Sequence, residues 1–174
     1  LHFVASCLRA MEWYENLVSK KARRGDADYE IRKACNAVKR ALIEQHVRDG
    51  DAVLDIGCGK GGDVGKLPRG VRYVGVDSSC TAVEDARERW ADLDVHVASF
   101  TNPLPPQLLK QSFDVLMCNF AAHYAFGSAE HVSGFFNNVC CARKQRGATL
   151  MGITVDADAL LARTPRDPPH KFGS

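Results

Sequence analysis

The chain has 174 residues, of which 45% are hydrophobic and 25% are charged, and its formal net charge is +2. This length allows one domain with a sizeable core. The small net charge excludes a global field that attracts nucleic acid, so RNA would have to be met by a local basic patch. The absence of a long apolar run excludes a predicted membrane span, and no membrane partner is expected.

Hydrophobic periodicity and chain-breaking residues predict alternating helices and strands. Helical spacing of apolar residues predicts a first helix at 31–48, which ends before Gly50. Short apolar runs predict five strands, at 52–57, 73–77, 94–100, 113–120 and 148–156. Further helices are predicted to begin in a glycine-rich loop near Gly61 to Asp63 and to span 79–93 and 128–144.

This order of elements favours an α/β fold with a mostly parallel sheet covered by helices on both faces. We expect a single domain over 1–174, made of a helical segment (1–50), a core (51–156) and a loop (157–174). The seven cysteines are odd in number and lack CxxC spacing, which favours reduced intracellular thiols over disulfides or a metal site. Cys140 and Cys141 are expected to fill the core from a helix.

The glycine-rich stretch directly follows the first predicted strand and reads Asp-Ile-Gly-Cys-Gly-Lys-Gly-Gly-Asp at 55–63. Ligands of open α/β sheets bind beyond the carboxyl ends of the strands. Glycine permits positive φ and close approach of the backbone to a ligand, and a helix behind the loop would offer N–H groups. Gly57, Gly59 and Asp77, whose carboxylate can accept both ribose hydroxyls, fit a nicotinamide dinucleotide or S-adenosylmethionine.

Asp55, two residues before the first glycine, favours S-adenosylmethionine. A carboxylate there would crowd the pyrophosphate of a dinucleotide, whereas it suits the ammonium and sulfonium groups of S-adenosylmethionine. The chain is also short for a two-halved dinucleotide fold with a substrate domain. A tight turn that binds nothing is disfavoured by the number of glycines and acids in the stretch.

Three segments in this order, 54–63, 73–79 and 113–126, strongly resemble the messenger-RNA cap guanine-N7 methyltransferases, and the helical pattern at 31–43 supports the resemblance. The resemblance implies a Rossmann-like class I methyltransferase fold, with the C-terminal strands of the family missing. It also implies transfer of a methyl group from S-adenosylmethionine to guanine N7 of capped RNA.

Where residues match the family's motifs, the resemblance implies contacts to both substrates. The donor, or its product S-adenosylhomocysteine, would be bound by Lys39, Asp55, Gly57, Gly59, Asp77, Ser78, Ser99, Asn119 and Tyr124. The cap would be contacted by Asn36, Lys60, Arg89 and His123. Ser99 stands where the family usually has an acid, and Asn119 where it usually has glutamine.

No catalytic acid, base or nucleophile is expected, because guanine N7 has a lone pair and no proton, so His123 and Tyr124 would shape the pocket. Phe120 and Phe126 are expected in the core, with stacking on a base as the alternative. The basic run at 20–24 either faces solvent or follows RNA phosphates.

Other functions stay open at this point: a small-molecule methyltransferase, a degenerate module that stimulates a capping partner, and, more distantly, an NAD-dependent oxidoreductase. Other capping-enzyme domains or subunits could be partners. The expected location is intracellular, in the nucleus for a cellular enzyme and in a cytoplasmic factory for a viral one.

Overall fold

The computed structural model describes residues 27–143 and 147–156, and its centre is one parallel five-stranded sheet. The strands are β1 (Ala52–Ile56), β2 (Arg72–Asp77), β3 (Val95–Val97), β4 (Val115–Met117) and β5 (Thr149–Met151). Their spatial order is β3-β2-β1-β4-β5. The chain therefore builds outward from β1 to β3 and then returns to pair β4 with β1, which places the switch point of the sheet between β1 and β4.

Four α-helices connect and cover the strands within the described residues: α1 (Ala27–His46), α2 (Cys80–Arg89), α3 (Pro106–Leu109) and α4 (Ala129–Ala142). Ser79 and Ser128 cap α2 and α4, since their hydroxyls accept backbone N–H groups at 3.2 Å. Short 3-10 turns lie at Val64–Lys66 and Ala122–Gly127. Among these described helices, none has the length and apolar character of a membrane span.

The core has two sides because β1 is covered on both faces. Leu54 and Ile56 pack in the larger cluster with Phe113 of the loop before β4, and Val53 packs on the other side with Ile43 of α1. Alternate residues of one strand therefore supply opposite faces of the sheet. The predicted parallel sheet with helices on both faces is confirmed, although β1, β3, β4 and β5 are shorter than their predicted runs and β2 begins one residue earlier than predicted.

The prediction that a helix begins in the glycine loop is wrong. Only the 3-10 turn Val64–Lys66 follows the loop. Gly61, Gly62 and Gly65 disfavour helix formation there, and Pro68 restricts the residue that precedes it. The N-terminal dipole of an α-helix is therefore not available behind this loop.

The expected core positions of four side chains are also wrong. Cys140 and Cys141 lie on α4 but are exposed, because the buried face of this helix is made by Phe135, Asn138, Val139 and Ala142. Phe120 is 37% exposed and Phe126 is 57% exposed. Both aromatics follow β4 at its carboxyl end, where the sheet no longer covers them.

Candidate functional site

The glycine loop at 57–62 lies at the switch point, held between β2 and the segment after β4. The N–H groups of Gly57 and Cys58 donate to the carbonyl of Val76 at 2.8 and 3.1 Å. Gly57 has φ +77, and a Cβ on it would lie 2.3 Å from the Cβ of Ala121. Only glycine allows the loop to lie this close to the segment after β4.

Asp77 ends β2 beside this loop, and backbone donors fix its carboxylate. Oδ2 accepts the N–H of Gly59 at 2.8 Å, and Oδ1 accepts the N–H of Ser79 at 2.9 Å. A carboxylate oxygen can accept a further hydrogen bond, so this fixed group can still receive two neighbouring hydroxyls. Ser78, the next residue, is exposed.

The buried carboxylate of Asp63 joins three other side chains, and we call Asp63, Lys39, Lys66 and Asn119 the Asp63 cluster. Lys39 of α1 donates to its two oxygens at 2.8 and 3.0 Å, Lys66 donates to Oδ1 at 2.6 Å, and Nδ2 of Asn119 donates to Oδ2 at 3.0 Å. Burial raises the pKa of Asp63, but the hydrogen bonds and charges of the two lysines outweigh burial and leave the pKa below its usual range. The carboxylate is therefore ionised and shared.

The cluster brings together two residues of the predicted donor site, Lys39 and Asn119, from elements that are distant in sequence. Neither Asp63 nor Lys66 is among the site residues predicted from the sequence. A signal was present, because Asp63 ends the glycine motif and Lys66 follows it after three residues, within one helical turn.

Asp55 lies beneath the loop rather than at its surface, with 1% of its area exposed. The hydroxyl of Tyr73 donates to Oδ2 of Asp55 at 2.9 Å. Burial and the nearby charge of Asp63 raise the pKa of Asp55 to about 7, although the Tyr73 hydrogen bond opposes this. Its predicted contact with the donor stays a prediction, and its observed contacts support the loop from below.

Because Asp55 is buried, we expect the free energy of unfolding of the chain to fall as pH rises. The folded chain keeps the proton of Asp55 up to about pH 7, whereas the unfolded chain loses it near the ordinary aspartate pKa of 3.8. The folded state is therefore favoured most below about pH 4, and this contribution is lost as pH rises through 7. Asp55→Asn should remove this loss, so the gain in its free energy of urea unfolding over wild type should be larger at pH 8.5 than at pH 5 by about 2–3 kcal/mol. An equal difference between variant and wild type at both pH values would contradict the assignment.

Helix α2 supports the loop from the other side. Nε1 of Trp90 donates to the carbonyl of Gly61 at 2.9 Å, and a Cβ on Gly61 would lie 3.0 Å from this indole. Lys60 pairs with Asp85 of α2 at 2.5 Å, and the guanidinium of Arg89 lies 5.4 Å from the Trp90 ring centroid. Trp90 was not among the predicted site residues, and no local pattern points to it.

His123 and Tyr124 lie in the 3-10 turn after β4, with ring centroids 4.2 Å apart. Nδ1 of His123 is buried, and it has no hydrogen-bond partner among the residues that the structure describes. Burial lowers the pKa of His123, so the ring is neutral at pH 7.

The remaining predicted positions surround these groups. Asn36 is exposed on α1, three residues before Lys39, and Ser99 hydrogen-bonds to Thr101 at 2.8 Å. Asn138 holds this Ser99 segment in place, since its amide donates to the carbonyl of Phe100 at 2.8 Å. The basic run at 20–24 lies outside the described residues. The structure thus gathers the predicted donor residues at the carboxyl ends of the strands, and their binding roles stay predictions.

Comparison with known proteins adds a family to this geometry. The profile described as the mRNA (guanine-N(7))-methyltransferase domain matches residues 9–174. The chain is 30% identical over 151 residues to mRNA cap guanine-N(7) methyltransferase 1 of Arabidopsis thaliana, covering 76% of this chain and 40% of that relative. It is also 30% identical over 158 residues to the mRNA cap guanine-N(7) methyltransferase of Schizosaccharomyces pombe, covering 81% and 43%.

A solved structure supports the fold. The S-adenosylmethionine-dependent methyltransferase from Thiobacillus denitrificans, solved in complex with S-adenosyl-L-homocysteine, has a TM-score of 0.51 and 19% identity, covering 68% of this chain and 47% of that one. The chain spans less than half the length of the two curated relatives described above. With the profile match over almost all of its residues, the chain belongs to the mRNA (guanine-N(7))-methyltransferase domain family.

Proposed function

We propose that this chain transfers a methyl group from S-adenosylmethionine to guanine N7 of the 5′ cap of mRNA. The observation that carries the proposal is the meeting of the glycine loop, Asp77 and the Asn119–Tyr124 segment at one switch point, in a chain of this family. The curated relatives are more than twice as long as their matched part, so the activity of the whole protein is proposed for this chain and not read from them.

The residues proposed to bind the methyl donor fit an adenosyl-sulfonium compound. Asp77 can accept the two hydroxyls of a ribose, because its oxygens are already oriented by Gly59 and Ser79. The Asp63 cluster carries two ammonium groups and one carboxylate, which leaves one positive charge for the α-carboxylate of the donor. Lys39 of α1 and Asn119, which follows β4, are the members that would contact this carboxylate and the amino group beside it.

A pyrophosphate-containing cofactor fits these residues less well. Phosphates bind at the N-terminus of an α-helix, where backbone N–H groups and the dipole favour negative charge. Here a 3-10 turn of three residues replaces that helix. The N–H groups of Gly57, Cys58, Gly59 and Gly61 are also satisfied within the protein.

The proposed reaction needs positioning rather than proton transfer. S-adenosylmethionine supplies a methyl group on a sulfonium, and the lone pair of guanine N7 can attack it without a general base. Alignment of reactants can supply about 7–11 kcal/mol of a barrier. The product guanine is cationic, and a neutral His123 adds no charge that would oppose it. His123 and Tyr124 would therefore orient the base and exclude water.

The test is a transfer assay with RNA that ends in an unmethylated cap. The chain is incubated with this RNA and methyl-labelled S-adenosylmethionine, the RNA is digested, and N7-methylguanosine is separated. RNA with a 5′-triphosphate and no cap serves as the control. Label in N7-methylguanosine from capped RNA alone supports the proposal. Binding of S-adenosylhomocysteine without transfer to capped RNA would contradict it.

We also propose capped RNA as the macromolecular partner and an intracellular site of action. We propose that Lys60, which pairs with Asp85 beside the loop, and Arg89, which lies over the Trp90 ring, contact the cap phosphates. The six described cysteines are all unpaired, which fits a reducing compartment. Nuclear or cytoplasmic location, and other capping domains or subunits, would be tested by imaging and co-purification from the source cell.

A further inference from the structure

We propose that Lys66 is a positioning residue for the amino-acid end of the methyl donor, and that it acts through Asp63 on Lys39 and Asn119. The inference deepens the proposed function and rests on its donor, but it does not depend on the cap being the acceptor. Lys66 is not among the residues predicted from the sequence for this site.

Lys66 is held rigidly at its position. Its Nζ lies 2.6 Å from Oδ1 of Asp63 and donates to the carbonyl of Gly62 at 2.8 Å. Only 9% of its side chain is exposed. Because Lys66 and Asp63 are three residues apart at the 3-10 turn, local backbone geometry forms this pair whether or not α1 is in place.

Lys39 and Asn119 reach the same carboxylate over much longer separations, of 24 and 56 residues. The carboxylate fixes the position of the Lys39 ammonium and receives Nδ2 of Asn119. This contact turns the amide oxygen of Asn119 away from Asp63, as an acceptor for the ammonium of an amino acid. Lys39 would then meet the α-carboxylate of that amino acid, so that one anchor sets two opposite recognition groups.

The charge of Lys66 decides whether this arrangement attracts an anion. With Lys39 alone, the carboxylate of Asp63 would neutralise the ammonium, and a second carboxylate would be repelled by the first. With Lys66 in place, the two ammonium groups outweigh the one carboxylate. Lys66 therefore satisfies Asp63 and leaves Lys39 able to serve a ligand.

Two ligands that share the adenosyl thioether separate this role from general support of the loop. S-adenosylhomocysteine carries the α-amino acid, and 5′-methylthioadenosine lacks it. We expect Lys66→Gln to weaken the binding of S-adenosylhomocysteine by about 10- to 100-fold in calorimetry, because a charge-assisted contact is lost. The affinity for 5′-methylthioadenosine should be unchanged. Lys66→Arg, which keeps the charge, should restore most of the affinity.

Lys110→Gln is the matched control, because Lys110 is exposed and precedes Gln111, which contacts Arg72 at the amino end of β2. It should bind both ligands as wild type does. Equal loss of both ligands in Lys66→Gln would overturn the positioning role, and so would no loss at all. Absence of binding of either ligand by the wild-type chain would overturn the proposed donor as well, which distinguishes the two failures.

Discussion

Asp77→Asn is expected to weaken binding of S-adenosylhomocysteine by roughly 100- to 10,000-fold. A hydrogen bond to a charged group contributes about 1.5–3 kcal/mol, and Asp77 would lose two such bonds to the ribose. The substitution also places an NH₂ group opposite the N–H of Gly59 or Ser79, which are the donors that the carboxylate now accepts. Calorimetry on the folded variant measures the loss.

Two controls separate the ribose contact from the loop. Asp92→Asn changes an exposed acid at φ +60, a conformation that asparagine tolerates, and should leave binding unchanged. Adenosine and 2′-deoxyadenosine are then compared on wild type and Asp77→Asn. Wild type should prefer adenosine and the variant should not. If the variant keeps the full preference, the ribose contact assigned to Asp77 is wrong.

Gly57→Ala is expected to destabilise the fold by about 2–5 kcal/mol and to abolish donor binding. Two costs act together: a strained backbone at φ +77, and a Cβ placed 2.3 Å from the Cβ of Ala121. Either the loop or the segment after β4 must move, and both belong to the proposed site. Urea unfolding and calorimetry with S-adenosylhomocysteine measure the two effects.

Gly62→Ala is the matched control, because a Cβ on Gly62 would meet nothing within 4 Å. Its free energy of unfolding and its affinity for S-adenosylhomocysteine should stay close to those of wild type. Adding Ala121→Gly to Gly57→Ala removes the collision but keeps the strained φ, so it should recover only part of the stability. If Gly57→Ala and Gly62→Ala lose the same stability, the close approach at Gly57 does not control the loop.

Features with local physical causes were predictable from the sequence. The apolar runs around Leu54 and Leu116 became strands because their side chains are buried on both faces of the sheet. Ser79 and Ser128 begin helices because their hydroxyls accept N–H groups of the first turn. The glycine loop and Asp77 were found for the same reason, since strand, turn and acid follow one another closely along the chain.

Faces and ends of elements were less predictable. Helical spacing does not say which side of α4 meets the sheet, and Cys140 and Cys141 lie on its exposed side. The run at 113–120 ends in the aromatic Phe120, but β4 stops at Met117. The apolar character of Phe120 and Phe126 therefore did not decide their burial, because burial depends on what other elements cover them.

The sequence alone thus determined the order of strands and helices, the glycine loop and the family to which the chain belongs, because each depends on residues close together in the chain. Only the tertiary structure decided that Lys39, Lys66 and Asn119 share the carboxylate of Asp63. It also decided that burial raises the pKa of Asp55 while the Tyr73 hydrogen bond opposes the rise, and that Trp90 supports Gly61. These contacts join groups from separate elements, and only the packing of α1, α2 and the sheet sets the distances between them.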